Sequence, residues 1–174
     1  MDFSWTEEQL DFKKAVINFA GQELNEDLIE RDKRAEFSME NWKKCAQFGL
    51  LTLAVPEEYG GVDADILTAM LAMEGLGYGC RDNGLILALN AQLWSVQVPI
   101  LKFGSEAQKQ QYLPGMCSGE IIGAYAMTEP DAGSDAYSIR THAEHRDGGY
   151  VLNGAKMFIT NAPIADVLIV YAKT

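Results

Sequence analysis

The hydrophobic period of this chain changes once, at Gly119, and that change limits the fold more than any other feature. Before it, apolar residues recur every three or four positions. After it, they alternate. Leu10, Val16, Ile17 and Phe19 give the first helical stripe, which closes at Gly21. Ser4 followed by Glu7 reads as a capping box at its start. A charged segment from Glu23 to Glu36 carries Leu24, Leu28 and Ile29 as its apolar side. Ser38 is placed to cap a third helix with Trp42, Cys45 and Phe48 inside it, and Gly49 is a natural stop. An extended run is expected over Leu50 to Val55, broken by Pro56 and Gly60-Gly61. Asp63 or Asp65 then opens a helix to Gly75 or Gly79, whose Ile66, Met70, Met73 and Leu76 read as core rather than as ligands. Leu85 to Phe103 is apolar almost all round and fits a buried helix, interrupted at Pro99 and ended at Gly104. Ser105 with Gln108 forms a second capping box, before a short helix that stops near Pro114.

Beyond Gly119, Ile121, Ile122, Ala124, Ala126 and Thr128 suit a strand. So do Ser138 to Glu144, Tyr150 to Leu152, Lys156 to Thr160 and Val167 to Ala172. Asp147-Gly148-Gly149 is a hairpin signal, and Asn153-Gly154 marks a second turn or bulge. The expected class is α+β: an all-α helical domain over 1–118, then part of an antiparallel β-domain over 119–174. The final strand is expected to lack a partner within the chain, which suggests a β-domain only partly present.

Charge narrows the partners. The 174 residues carry a formal net charge of −11, which repels nucleic-acid backbones and anionic membrane surfaces. Hydrophobic residues at 48% and charged residues at 22% are ordinary for a globular protein. No segment reads as a membrane span, and Met1-Asp2-Phe3-Ser4-Trp5 lacks the basic start of a signal peptide. A soluble, cytoplasmic protein is expected. Cys45, Cys80 and Cys117 are too far apart for a metal pattern and read as reduced thiols. His142 and His145 stand three apart in a strand and point to opposite faces, so they form no metal pair.

The informative stretch runs Ala124-Tyr125-Ala126-Met127-Thr128-Glu129-Pro130-Asp131-Ala132-Gly133-Ser134-Asp135. It is a strand that ends at a proline and enters a tight, small-residue loop. Gly133 permits close backbone approach or a positive φ, and Thr128 and Ser134 offer hydroxyls. Such a loop suits an anion or a polarised ring edge, and equally serves as a plain connection. Glu129 and Asp135 read as braces of the loop rather than as reactive groups. Lys156 and Arg140 read as solvated strand residues or as members of structural ion pairs. Tyr137 fits either the core or a substrate-facing position.

This stretch resembles the flavin-binding signature of the acyl-CoA dehydrogenase family, in which a Thr-Glu-Pro strand end leads into Ala-Gly-Ser-Asp. Asn153-Gly154-Ala155-Lys156-Met157-Phe158-Ile159-Thr160-Asn161 is similar to the family's second motif. Weaker likenesses lie at Leu53 to Gly61 and at Phe103 to Pro114, so the resemblance covers essentially the whole chain. It implies an FAD enzyme that removes two hydrogens from the carbons next to an acyl thioester, carried by coenzyme A or an acyl carrier protein. It also implies an electron acceptor such as an electron-transfer flavoprotein, and a homo-oligomer. By position, Tyr125, Met127 and Thr128 match the strand that lines the flavin ring. Gly133 and Ser134 match the loop facing cofactor phosphate, with Ser134 also toward the substrate thioester. Phe158 stands where the family has a tryptophan beside the flavin, and Thr160 where it has a threonine beside the ring nitrogen. Phe158 keeps an aromatic face but lacks an indole N–H.

The family's catalytic glutamate comes from a C-terminal helical domain, and no carboxylate here occupies its place. These residues are therefore expected to be inactive alone and completed by further sequence or by another chain. An acyl-CoA oxidase or a flavin monooxygenase of the same fold is the near alternative. A non-catalytic binding or assembly module is the distant one.

Overall fold

The computed structural model describes residues 4–174. Residues 1–3, part of the opening run read for a signal peptide, lie outside the described residues. The chain forms two compact units, a helical one ending at Ile121 and a second from Ile122 to Thr174.

The helical unit opens with α1 (Glu7–Glu23), whose cap is Thr6. The Thr6 hydroxyl accepts from the Gln9 N–H, and the Gln9 side chain accepts from the Thr6 N–H. The expected box at Ser4 and Glu7 is thus displaced by two residues. The observed start leaves Glu7 and Glu8 together in the first turn, where the helix dipole favours negative charge. A short α2 (Leu28–Lys33) follows, then α3 (Met39–Phe48). Ser38 caps α3, and Gly49 ends it at φ 95°.

Residues 50–55 are not extended. They fold through turns, burying Leu50, Leu51, Leu53 and Val55. Amides from Val62 to Ala64 return to the carbonyls of Thr52, Leu53 and Val55, so the polar groups of the segment are satisfied locally.

Asp65 caps α4 (Ile66–Gly79). A Cβ on Gly79 would stand 2.5 Å from the Ile17 carbonyl oxygen, so only glycine lets α4 pack this closely on α1. The stripe read as core divides. Met73 and Leu76 are buried, whereas Ile66 and Met70 are exposed, and the small Ala69 and Ala72 complete the inner face.

From Asn83 to Phe103 the chain is one continuous helical run. It comprises α5 (Asn83–Asn90), a π-helical stretch (Ala91–Gln97) and α6 (Val98–Phe103). The interruption expected at Pro99 does not occur. Pro99 falls in the first turn of α6, and the wider π turns ahead of it reset the hydrogen-bond register that its missing N–H would break. Contrary to the expectation from sequence, this run is long and apolar enough to cross a membrane by length and composition. Its Leu85, Leu89, Leu93 and Val96 are nevertheless core of the helical unit. Two glutamines are buried in it as well. Gln92 donates to the Ile121 carbonyl at 2.9 Å and Gln97 to the Leu51 carbonyl at 3.0 Å.

The last helix, α7 (Glu106–Ser118), begins at the expected box of Ser105 and Gln108. It continues through Pro114 instead of stopping there, because Leu113 just before the proline and Met116 and Cys117 in the turn beyond it are buried. That burial outweighs the roughly 3 kcal/mol an internal proline costs. All three cysteines are free and buried. Burial pushes the Cys45 thiol up to about 12 and the Cys117 thiol up to about 11, which makes both poor nucleophiles.

The second unit holds β1 (Gly123–Ala126), β2 (His142–Arg146), β3 (Gly149–Asn153) and β4 (Val167–Val170). The antiparallel pairing expected throughout holds for β2 and β3, which form a hairpin turned at Asp147 and Gly148, both at positive φ. The pair β1–β4 is parallel, in register Gly123↔Val167 to Ala126↔Val170. The hairpin and the segment that follows it carry the chain back to the start of β1, so β4 runs in the same direction. The final strand therefore has a partner, contrary to expectation. The strand expected over Lys156 to Thr160 is absent, and β2 starts at His142, not at Ser138.

Candidate flavin-facing site

Every residue matched to a flavin contact lies in the second unit. The site is built where β1 ends. Tyr125 is in β1, half-buried, with its ring centroid 4.9 Å from that of Tyr171. Its hydroxyl donates to the Met127 sulfur at 3.4 Å. Burial, and then the hydrogen bond with Tyr171, push the Tyr125 phenol up to about 12, so it stays neutral.

Met127 and Thr128 follow the strand, both half-buried. Their carbonyls are taken, that of Met127 by the Lys156 ammonium at 2.8 Å and that of Thr128 by the Met157 N–H at 3.0 Å. Among the described residues no group accepts from the Thr128 N–H or from its hydroxyl. Thr128 is thus a pair of unspent donors on a pinned backbone.

Glu129 to Ala132 form a tight turn in which each of the two end residues accepts from the other's N–H, at 2.9 and 3.2 Å. The Glu129 carboxylate braces this turn, as the sequence implied. One oxygen accepts from the Arg140 N–H, and the other from the Thr141 N–H and from Lys156. Lys156, first, and then the groups of Thr141 and Arg140 hold the Glu129 carboxyl down at about 2. A carboxylate so engaged is not a proton acceptor at neutral pH. Lys156, read from sequence as solvated or as an ion-pair member, is the latter, with a side chain only 12% exposed. Arg140 pairs with Asp131 in solvent, an arrangement of little energetic weight.

Gly133 and Ser134 sit in the exposed loop after this turn. Gly133 does not adopt a positive φ. A Cβ there would meet nothing within 4 Å, so the glycine leaves open space rather than solving a backbone problem. Tyr137 is 94% exposed, which excludes the core reading within this unit.

Phe158 is the most unusual residue of the site. Its φ is 56°, a left-handed conformation that costs a bulky residue of order 1–2 kcal/mol, and its ring is 84% exposed. The strain is imposed by anchors on either side. Met157 is tied to Thr128, and Asn161, itself left-handed and buried, donates to the Gly123 carbonyl at 3.2 Å. The chain from 157 to 161 is therefore bowed along β1, with Phe158 and a half-buried Thr160 between its fixed ends. The sequence did not mark Asn161 or Thr141 as parts of this frame. Asparagine tolerates the left-handed region, and Gly154 packs against Thr141, so the signals were present in residue type. Among the described residues no cluster of three or more His, Cys, Asp or Glu is placed to hold a metal ion.

Residues 6–120 match the acyl-CoA dehydrogenase N-terminal domain, and residues 124–174 match the acyl-CoA dehydrogenase middle domain. The L-prolyl-[peptidyl-carrier protein] dehydrogenase of Serratia sp. is 44% identical over 174 residues, which cover 100% of this chain and 45% of that protein. The short-chain-specific acyl-CoA dehydrogenase of Clostridium acetobutylicum is 39% identical, again over 100% of this chain and 45% of that protein. The crystal structure of the prolyl acyl carrier protein oxidase AnaB superposes with a TM-score of 0.93 at 48% identity, covering 97% of this chain and 45% of that one. The FAD complex of PigA gives 0.94 at 44% identity, over 100% of this chain and 45% of that one. The chain thus spans about half the length of the relatives it matches. By both domains and by these relatives, the chain belongs to the acyl-CoA dehydrogenase family.

Proposed function

We propose that the surface carrying Thr128 and Phe158 binds FAD and that the protein serves the α,β-dehydrogenation of an acyl thioester. The observation that carries this reading is Phe158, a strained, exposed aromatic held beside two unspent Thr128 donors. Exposed strain of this kind is retained where a ligand uses it. Tyr125 and Met127 line the same strand end, Thr160 offers a second hydroxyl, and Gly133 and Ser134 leave room for a phosphate and for the thioester end. FAD, held there by these residues, would supply the acceptor for the β-hydride of the acyl group. The chain's own residues supply a flat aromatic face that excludes water, and hydrogen-bond donors for the ring edge. The α-proton goes to a carboxylate base that we do not assign within these residues, since Glu129 is committed to its three partners. The working protein is then a cytoplasmic homo-oligomer passing electrons to an electron-transfer flavoprotein.

A prolyl group on a carrier protein is the favoured thioester. The support is the 44% identity to a prolyl-carrier dehydrogenase and the 48% identity to a prolyl-carrier oxidase, set against a second prolyl-carrier dehydrogenase at 37% and an isovaleryl-CoA dehydrogenase at 42%. The oxidase reading differs only in letting oxygen take the electrons.

The test is FAD titration followed by quenching of flavin fluorescence. L-prolyl carrier thioester or butyryl-CoA is then added without oxygen, and the flavin absorbance followed. Saturable binding is expected, with bleaching by the prolyl thioester only when the catalytic base is also supplied. No binding under any condition would leave the non-catalytic module as the reading.

A further inference from the structure

We propose that Lys156 and Glu129 form a positioning couple that sets the geometry of the Thr128 donors, an inference that rests on the reading of this surface as a flavin site. The Lys156 ammonium reaches the Met127 carbonyl and the Glu129 carboxylate, each at 2.8 Å. These two groups flank Thr128 in sequence. One side chain therefore bridges the residues on either side of the donor pair. The carbonyl of Thr128 itself is fixed from the next residue of the same segment, by the Met157 N–H. With three consecutive residues held, the Thr128 N–H keeps one direction without a bond of its own, and the Cβ that carries the hydroxyl keeps one place.

The pair is a costly way to join two chain segments. Lys156 and Glu129 side chains are 12% and 6% exposed, so both charges lose most of their water. An apolar contact of the same volume would often serve stability as well or better. What an apolar pair does not supply is direction. An ammonium holds a backbone carbonyl at a fixed distance, and a carboxylate collects the Arg140 and Thr141 amides together with that ammonium. Glu129 thereby ties the loop at 129–135 to the strand entry at 140–141 and to residue 156. The exposed Arg140–Asp131 pair nearby, 79% and 70% exposed, has no such reach. Donors aimed before the ligand arrives act without reorganisation when it does.

Lys156→Met alone would strand a buried carboxylate and risk unfolding. The test therefore uses the double variant Lys156→Met with Glu129→Gln, which removes both charges together. Thermal unfolding is measured on the same samples, and all comparisons are made where both proteins are fully folded. Amide hydrogen exchange at Met157 reports the latch to Thr128 without any flavin. FAD titration and the absorption band shape of bound flavin report the donors. The couple predicts exchange at Met157 faster by about tenfold or more. It also predicts FAD affinity lower by about tenfold and a shifted flavin band, since an aimed donor pair contributes roughly that much. An unchanged exchange rate at Met157, or unchanged affinity and band shape with FAD bound, would overturn the couple. Faster exchange in a protein whose parent binds no FAD would support the couple and overturn the flavin reading instead.

Discussion

Gly154 lies against Thr141 so closely that an added Cβ would stand 2.3 Å from the threonine Oγ1 and 2.7 Å from its Cα. Thr141 is buried and its N–H holds Glu129, so nothing at this contact is free to move without disturbing the loop brace. Gly154→Ala is expected to destabilise the second unit by about 1–3 kcal/mol, the usual cost of overpacking. Urea denaturation followed by the Tyr125 and Tyr171 signals of that unit measures it. A variant as stable as its parent would mean the contact relaxes at no cost.

Glu129 also gives the unit a pH dependence. Its carboxyl is held at about 2, against an ordinary value of 4.5. The folded state thus binds this proton less readily than the unfolded state does. The stability Glu129 contributes is fully present above about 4.5 and is lost as pH falls from there toward 2. Asp65, whose carboxylate is held below its ordinary value by Thr68, adds a smaller change of the same sign in the helical unit. Denaturation midpoints measured from pH 7 down to 2 are expected to fall over this range, and Glu129→Gln is expected to flatten the slope of the second unit. An equal slope in the variant would place the acid sensitivity elsewhere.

Much of this was readable because it depends on local chemistry. Ser38, Asp65 and Ser105 cap helices as their residue types require, and Gly49 stops one. The motif residues from Tyr125 to Ser134 are grouped at one strand end because they are adjacent in the chain. What was not readable depends on distant packing. Pro114 would stop an isolated helix, and only the buried Met116 and Cys117 beyond it keep α7 going. The parallel pairing of β1 with β4 is set by how the intervening 40 residues return the chain, which no alternation pattern encodes. The bow at Phe158 exists because Met157 is tied to Thr128, just past β1, and Asn161 to Gly123 in β1, and those ties join residues 29 and 38 positions apart in sequence. A period-2 reading of Lys156 to Thr160 is what such a segment gives when its anchors are unknown.

In the helical unit, Trp42 provides a test of a single buried bond. Its side chain is fully buried and its indole N–H donates to the Gly119 carbonyl at 3.1 Å. Trp42→Phe leaves that carbonyl without its donor, at a cost of about 1–3 kcal/mol, and the smaller ring leaves a cavity that adds to it. The expected result is a lower urea midpoint for the helical transition with the β-unit transition unmoved. A shift in both would mean that the two units unfold together.

Phe158 separates stability from binding most cleanly. With its ring 84% exposed, the residue gains little from burial, while its φ of 56° costs energy that asparagine would not incur. Phe158→Asn is therefore expected to leave the protein as stable as before, or more stable by about 1 kcal/mol. If the ring faces a bound flavin, the same change removes its stacking surface and lowers FAD affinity by about tenfold, the equivalent of one aromatic contact. Ordinary damage moves both quantities in the same direction. Opposite movement, with the thermal midpoint held or raised and the flavin dissociation constant increased, is the signature of strain kept for a ligand. A variant that loses stability would mean that the ring is supported by contacts in the free protein. One that gains stability and binds FAD unchanged would remove Phe158 from the flavin site.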